Sequence, residues 1–527
     1  LTAPAASPTV TVTIEGIPVA VPPGTSILEA AKQAGVLIPH YCYHPGLPVA
    51  GVCRMCLVEV EKFPKLAPAC ATAVADGQVV HVHSDKAREA RTGVLEFLLI
   101  NHPLDCPICD QAGECELQDY TFQEGRAESR YREPKRFNPV EDFGGDVLYV
   151  PNRCILCTRC VRFMSDVAQE PVLNVSERGD RAYIGKAEGH DLVHPWSGNV
   201  VDLCPVGALL SKDFLNKARA WELDRAASVC PGCSQGCNIT IETRDNAVVR
   251  LKPRTNEAVN RFFMCDEGRL GYRWLNRRDR VVQPLVRGVD GALAEAAWEQ
   301  ALAAAADAIR GASRVVVLAS PRLSNEALYL LGRLWQGRGA GAYRMPTGPE
   351  APLAGVPDLS LRADRAPNGT GADHLGYART TDADDVLRNG DLLVVADDEL
   401  DGIAPDVLAR AADVLVIGTV LPGPVAERAR VVLPITTFAE EEGTFTNLRG
   451  RVQRFLQAKA PPGMARPSWS VLADLLEATG AAANHLVPAD VFAALAAAHA
   501  PFAGLSYARL GLRGLPVLDA APAEAGA

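Results

Sequence analysis

Residues 154–160 read CILCTRC, and residues 204–205 read CP. Three cysteines at C-x2-C-x2-C offer three thiols from one short loop, a spacing that suits a polynuclear metal site. The chain holds 15 cysteines in 527 residues, an odd count that does not divide into complete four-cysteine sites. At ~150 residues per domain, this length suggests three or four domains. Hydrophobic content of 48% and charged content of 22% fit a soluble globular protein. A net charge of -10 argues against a general nucleic-acid binder, which would carry a basic stripe. No apolar run approaches the ~20 residues of a membrane-spanning helix. The opening LTAPAASPTV lacks the basic and apolar regions of a secretory signal. A soluble cytoplasmic location is expected, where thiols stay reduced and closely spaced cysteines read as metal ligands.

The run at 154–160 resembles one half of a bacterial two-cluster ferredoxin, C-x2-C-x2-C-x3-C-P, in which the fourth cysteine ligates the other cluster. The fourth position here is Met164. Counting back from Cys204-Pro205, the second run would need cysteines at His194, Ser197 and Val200. Both runs have lost the second cluster's ligands. One [4Fe–4S] cluster on Cys154, Cys157, Cys160 and Cys204 is the expectation, and His194 is not expected to bind metal.

Upstream, HPLDCPICDQAGEC sets His102, Cys106, Cys109 and Cys115 at H-x3-C-x2-C-x5-C. KAREARTGVLEFLLI (86–100) reads as an amphipathic helix leading into His102, and CELQDYTFQEG (115–125) as a second helix. If His102 is a ligand, the donors number sixteen and divide into four groups of four. A histidine in place of a thiolate makes a cluster less negative and raises its potential.

Further upstream, TVTVTIEGIPVAV (9–21) reads as a β-hairpin, and ILEAAKQA as a short helix capped by Thr25 or Ser26 and ended by Gly35. LVEVEKF and VVHVHS (79–84) read as strands. They frame a loop region bearing Cys42, Cys53, Cys56 and Cys70 at C-x10-C-x2-C-x13-C. This suggests a β-grasp domain around a [2Fe–2S] cluster, because plant-type ferredoxins also keep a close cysteine pair and a distant fourth. His40 and His44 flank Cys42, but four thiolates already complete the set.

Downstream, Cys230, Cys233, Cys237 and Cys265 are spaced C-x2-C-x3-C-x27-C around a hairpin-like ITIETRDNAVVRLKP. A third [4Fe–4S] cluster is expected here. Zinc remains the alternative for any four-cysteine set, although structural zinc sites usually pair two C-x2-C knuckles. All 15 cysteines are then assigned.

From about 285, RVVVLAS (314–320), DLLVVAD (391–397) and DVLVIGT (413–419) alternate with helical stretches such as NEALYLLGRLW. That alternation predicts α/β layers on a mainly parallel sheet. Gly337, Gly339 and Gly341 follow a helix, so they do not make a dinucleotide fingerprint. Residues 350–376, rich in Pro, Gly and Asp, read as a long loop. APPG (460–463) reads as a break, and an Ala-rich helical tail is expected at the end.

With these sets in place, the chain resembles the large iron–sulfur subunit of bacterial NADH–quinone oxidoreductase, respiratory complex I. The resemblance rests on YCYHPGLPVAGVCRMCLVEV, NHPLDCPICDQAGECELQD, RCILCTRCVRF and VDLCPVGAL. It implies one [2Fe–2S] and three [4Fe–4S] clusters, the second set with a His ligand. It further implies electron transfer from an NADH-oxidising FMN flavoprotein subunit toward quinone through other peripheral-arm subunits, with proton translocation by the whole complex. The place would be the cytoplasmic side of the bacterial inner membrane, with no direct span and no nucleic-acid partner.

The region from 226 is similar to molybdopterin oxidoreductases, including RVVLPITTFAEEEGTFTNLRGRVQRF (430–455). Working members of that superfamily carry C-x-K-G after the last cluster cysteine, where this chain reads Cys265-Asp266-Glu267-Gly268. No cysteine is spare for molybdenum, so no molybdopterin is expected.

The domains expected are a [2Fe–2S] ferredoxin-like β-grasp domain (1–85), a helical His-ligated [4Fe–4S] domain (86–125) and a one-cluster ferredoxin-like domain (126–225). A molybdopterin-oxidoreductase-type [4Fe–4S] domain (226–282) and a shortened α/β domain (283–527) follow. No catalytic nucleophile or acid–base pair is evident. A molybdenum formate dehydrogenase, a hydrogenase electron-input module and a zinc-stapled structural protein are the competing readings.

Overall fold

Alternating β-branched residues near the start of the chain fold as the hairpin β1 (Val10–Ile14) and β2 (Ile17–Val21) in the computed structural model, which describes residues 9–517. Glu15 and Gly16 both take positive φ, 49° and 79°, the backbone that a tight two-residue hairpin turn requires. α1 (Ile27–Gln33) starts at Ser26, whose hydroxyl accepts the Glu29 N–H. β3 (Leu57–Val60), β4 (Ala67–Pro68) and β5 (Gln78–His81) complete a sheet in the order β2-β1-β5-β3-β4, with β1 and β5 parallel. This is the expected β-grasp pattern. Its core packs Val12, Ile14, Val58 and Val80 with Ile27, Leu28 and Ala31. The third and fifth strands are shorter than their alternation suggests. Lys62 turns the chain with φ 67°, and Ser84 leaves the sheet to cap α2 (Asp85–Leu99).

α3 (Glu116–Glu124) follows the His102 loop. Next come β6 (Glu141–Gly144), β7 (Val147–Tyr149), the single turn α4 (Arg159–Arg162), the hairpin β8 (Leu173–Ser176) and β9 (Tyr183–Lys186), α5 (Asn199–Leu203) and β10 (Leu209–Ser211). β10, β7 and β6 form one sheet. α4 runs directly into a π-helical turn, Phe163–Val167, a form that often occurs at functional sites. Met164 and Val200 are fully buried and Ser197 nearly so. The His194 Nδ1 accepts the Trp196 N–H at 3.3 Å, and its Nε2 lies 4.0 Å from Glu170. Together with Leu353–Pro357, this part of the chain makes one unit, Leu1–Glu222.

The second unit opens with an antiparallel sheet, β11 (Asp224–Val229), β12 (Asn238–Arg244) and β13 (Ala247–Pro253), followed by α6 (Asp266–Leu270). Asp245 and Asn246 turn the expected hairpin, both with positive φ. The α/β part contains β14 (Leu285–Arg287), β15 (Leu293–Glu295), α7 (Trp298–Gly311), β16 (Val315–Ala319), α8 (Asn325–Trp335) and β17 (Gly339–Arg344). It continues through β18 (Ala351–Pro352), β19 (Ser360–Leu361), α9 (Gly369–His374), β20 (Ala378–Thr380), β21 (Leu392–Ala396), α10 (Pro405–Leu408), β22 (Asp413–Gly418) and β23 (Ala429–Pro434).

Eight of these strands make one sheet, β15-β14-β23-β22-β21-β16-β17-β20, parallel from β23 to β20. Val315 and Val317 belong to the core on one face, and Val316 and Leu318 to the core on the other. Burial on both faces explains the continuous apolar runs of these strands. A Cβ on Gly339 would lie 1.7 Å from the Val315 carbonyl oxygen, and one on Gly341 would enter the Trp335 ring. These glycines allow close packing of the strand against β16 and Trp335.

The structure corrects the reading of residues 350–376 as a loop. They hold the β18–β19 ladder and α9, and Leu353, Leu359, Ala366 and Asn368 are buried. Side-chain bonds replace regular repeats here: Asn368 donates to the Leu323 carbonyl and accepts the Thr446 N–H. The Ala-rich tail after the 460–463 break is helical as expected, apart from one short closing strand. β24 (Gly443–Thr446), β25 (Arg451–Phe455), α11 (Ser468–Ala478) and α12 (Pro488–Ala498) are followed by a short α13 (Tyr507–Leu510) and by β26 (Leu515–Pro516), which pairs with β25. The rest of the expected tail lies outside the described residues.

Two buried features of this unit make testable predictions. Arg280 forks onto Glu440 at 3.0 and 3.1 Å, with both side chains buried. Arg280→Met leaves the Glu440 carboxylate with the Thr437 N–H at 2.9 Å and Lys459 at 3.6 Å, and should destabilise the unit by about 3 kcal/mol, the lower end for a broken buried pair, read from urea unfolding. Separately, burial pushes the Glu326 carboxyl up to about 7. Burial, with the nearby Glu326 charge adding to it, pushes Glu441 up to about 8. Raised carboxyl pKa values mean the folded state binds more protons, so this stability is complete below the unfolded value near 4.5 and is lost as pH rises through 7 to 8. Thermal midpoints should therefore fall between pH 5.5 and pH 8.5, to a degree that Glu441→Gln reduces.

Candidate metal centres

Cys42, Cys53, Cys56 and Cys70 meet on the loops of the β-grasp domain. The Cys42 N–H donates to Cys53 Sγ at 3.4 Å. The Cys42 thiol reaches Cys53 and Cys70, and Cys56 reaches Cys70. These sulfur contacts draw Cys42 and Cys56 down and push Cys53 and Cys70 up. Gly51 and Arg54 take positive φ, 64° and 56°, which curls the loop around the set. The flanking histidines are engaged by backbone: His40 Nδ1 pairs with the Ile38 carbonyl at 2.8 Å, and His44 Nδ1 accepts the Gly46 N–H at 3.1 Å.

His102, Cys106, Cys109 and Cys115 line one cavity of about 820 Å³. A 3-10 turn, Cys106–Ile108, presents the first cysteine and leads directly to Cys109. Cys115 is the N-cap of α3. Burial pushes the Cys115 thiol up to about 11. Burial, aided by the Lys135 and Arg153 cations, pushes His102 down to about 4, so its imidazole is neutral near pH 7 and able to ligate. Its Nδ1 is buried and hydrogen-bonds to nothing among the described residues. A buried nitrogen left bare is costly unless something absent from the polypeptide meets it. Two further residues shape the cavity. Arg153 clamps Asp105, beside Cys106, at 2.9 and 3.0 Å. A Cβ on Gly207 would lie 2.2 Å from Cys109 Sγ.

Cys154, Cys157, Cys160 and Cys204 line a small chamber with Tyr149, Ile184 and Leu209. Leu156 and Thr158 both adopt positive φ, 53° and 60°, so the loop curls with its thiols inward at some backbone cost. The Leu156 N–H donates to Cys154 Sγ at 3.4 Å. The backbone of Val206, Ala208 and Leu209 partly offsets the burial that raises the Cys204 thiol. Burial, then like charge, pushes Cys157 up to about 12 and Cys160 well above the normal range. A cation that takes thiolates relieves both effects.

Cys230, Cys233, Cys237 and Cys265 are all buried. The Cys230 N–H donates to the Cys237 carbonyl at 2.8 Å, closing the loop, and Cys265 caps α6 by accepting the Gly268 N–H at 3.3 Å. A Cβ on Gly268 would approach Cys230 Sγ to 3.0 Å. Burial pushes Cys230 up to about 12, and burial with neighbouring thiols raises Cys237 and Cys265 well above the normal thiol range. Glu267, in the position where catalytic pterin enzymes carry lysine, pairs with Arg365 at 3.2 Å.

Each sequence-expected set is thus gathered in one place. Among the described residues no three His, Cys, Asp or Glu side chains meet in the geometry of a single-ion site, and no helix is long and apolar enough to cross a membrane. Tyr149, Arg153, Arg159 and Gly207 were not singled out from the sequence. Arg153 and Arg159 adjoin cysteines in the chain, but the contacts that matter come from elsewhere in the sequence.

Comparison with known proteins agrees in order along the chain. Residues 7–85 match the 2Fe-2S iron-sulfur cluster binding domain, and 91–130 the NADH-ubiquinone oxidoreductase-G iron-sulfur binding region. Residues 144–210 match the ferredoxin-like domain of NADH-quinone oxidoreductase subunit 3. Residues 224–277 match the molybdopterin oxidoreductase Fe4S4 domain, and 401–478 the molybdopterin oxidoreductase family. The G-type subunit of the NADH-quinone oxidoreductase of Rickettsia conorii is 42% identical over 332 residues, 63% of this chain and 49% of that protein. Its counterpart from Rickettsia felis matches equally, at 42% over 332 residues. The matched stretch thus spans about half the length of these relatives. An NAD+-reducing [NiFe]-hydrogenase structure is 29% identical, covering 40% of this chain and 90% of its own at a TM-score of 0.35. The chain is therefore a mixed α/β protein with ferredoxin-like 2Fe-2S and 4Fe-4S domains and molybdopterin-oxidoreductase-like domains.

Proposed function

We propose that this chain is the iron–sulfur electron-transfer subunit of an NADH–quinone oxidoreductase. Cys42, Cys53, Cys56 and Cys70 hold a [2Fe–2S] cluster. Three [4Fe–4S] clusters sit on His102 with Cys106, Cys109 and Cys115, on Cys154, Cys157, Cys160 and Cys204, and on Cys230, Cys233, Cys237 and Cys265. The domains run 1–85, 86–125, 126–225, 226–282 and 283–527. When bound, such clusters supply one-electron transfer.

The polypeptide's task is to hold the ligands, bury them and aim N–H groups at their sulfurs, which sets how readily each centre is reduced. Partners would be an NADH-oxidising FMN flavoprotein subunit and other peripheral subunits on the cytoplasmic side of the bacterial inner membrane, with proton translocation a property of the whole complex. The absence of a spare cysteine and the acid at Glu267 support a molybdopterin-like domain without that cofactor.

The observation that carries the reading is the His102 cavity: a buried, unpartnered imidazole nitrogen facing the same space as three cysteines. The test is reduction of the intact, cluster-loaded chain followed by EPR. NADH alone should leave it oxidised, and NADH with an FMN flavoprotein subunit of such a complex should reduce it. Reduction by NADH alone, or none with the flavoprotein, would contradict the assignment.

A further inference from the structure

The three sets of the first unit share one buried guanidinium. Arg159 lies on α4, between Cys157 and Cys160 in sequence, and is 5% exposed. Its Nη2 donates to the Tyr43 carbonyl at 2.8 Å, next to Cys42 of the first set. Its Nη1 donates to the Leu203 carbonyl at 3.2 Å, next to Cys204. Both nitrogens also face the Glu116 carboxylate at 3.4 and 3.5 Å, next to Cys115 of the His102 set. Around it, further bonds tie the same loops. The Glu116 N–H donates to the Pro205 carbonyl at 3.1 Å, and Arg162 Nη2 donates to the carbonyls of Cys42 and Cys157 at 2.5 and 3.2 Å.

One-electron reduction makes a cluster one unit more negative. A fixed cation in a dry interior favours the reduced form of every centre near it, with little screening. A buried arginine also brings a rigid fork of donors, which suits three loops at once better than a point charge does. The positive charge is only partly offset nearby, because the Glu116 contacts are long and the remaining partners are neutral carbonyls.

We propose that Arg159 is a positioning residue common to the three N-terminal centres, holding their ligand loops in register and raising the reduction potential of all three. This rests on the cluster assignments above. The test is an EPR-monitored redox titration of the full chain with Arg159→Met and Arg159→Lys, each signal being assigned by a ligand variant of its set.

Arg159→Met should make all three N-terminal centres harder to reduce, on the order of tenfold in the equilibrium, about 59 mV for a one-electron couple. Arg159→Lys, which keeps the charge, should shift them less. If Met moves no potential, or moves only the Cys154 set, the proposal is wrong. It is equally wrong if Lys shifts the potentials as far as Met. Should the Met variant fail to load, Glu116→Gln decides: removing that negative charge should raise the potentials, and unchanged values overturn the idea. A wild-type chain without iron–sulfur signals would count against the cluster assignments instead, and is thereby told apart.

Discussion

His102→Ala is expected to lose one [4Fe–4S] centre while the other three keep their EPR signals. His102 lines the cavity that Cys106, Cys109 and Cys115 share, and in the proposed assignment the other twelve cysteines fall into three sets of four. Among the described residues its buried Nδ1 has no hydrogen-bond partner, so alanine removes a donor without stranding one in the protein. His102→Cys should restore the centre, because a thiolate can ligate from the same loop. Its potential should be lower than wild type, since a thiolate adds negative charge where imidazole adds none. Iron content and EPR of both variants check this. If His102→Ala leaves every signal intact, His102 is not a ligand.

The second large effect is expected at Gly207, a residue from the loop after Cys204. A β-carbon there would sit 2.2 Å from Cys109 Sγ, inside any tolerable contact. How damaging this is depends on the state of Cys109. A free thiol can swing to another rotamer and the change is mild. A sulfur bonded to iron cannot move, so Gly207→Ala should block assembly of the His102 centre while the thermal midpoint of the cluster-free chain hardly changes. Comparing cluster content with the melting of the apo protein separates the two cases. Full loading of the His102 centre in Gly207→Ala would mean that Cys109 is not held by a cluster.

The legibility of this chain in its sequence follows from the physics of each feature. Thiol spacing is short-range, so the three tight cysteine loops, and the non-cysteine residues Met164, His194, Ser197 and Val200 at the second-run spacing, could be read directly. Period-two and apolar-run patterns likewise located β1, β2 and the strands of the parallel sheet. Residues 350–376 were misread because their order comes from side-chain bonds, such as those of Asn368, which leave no periodic trace. Arg159 and Gly207 were invisible for a related reason. Arg159 acts on Tyr43, 116 positions away, and Gly207 matters only for its distance from Cys109. Long-range contacts of this kind become readable only after folding.

The central claim is that sixteen residues hold iron–sulfur clusters and not zinc or molybdenum. Analysis of iron, acid-labile sulfide, zinc and molybdenum in the anaerobically purified full chain tests it most directly. The account predicts a brown protein with iron and labile sulfide in equal amounts, and zinc and molybdenum well below one per chain. A colourless protein carrying zinc without sulfide, or one with stoichiometric molybdenum, would contradict it.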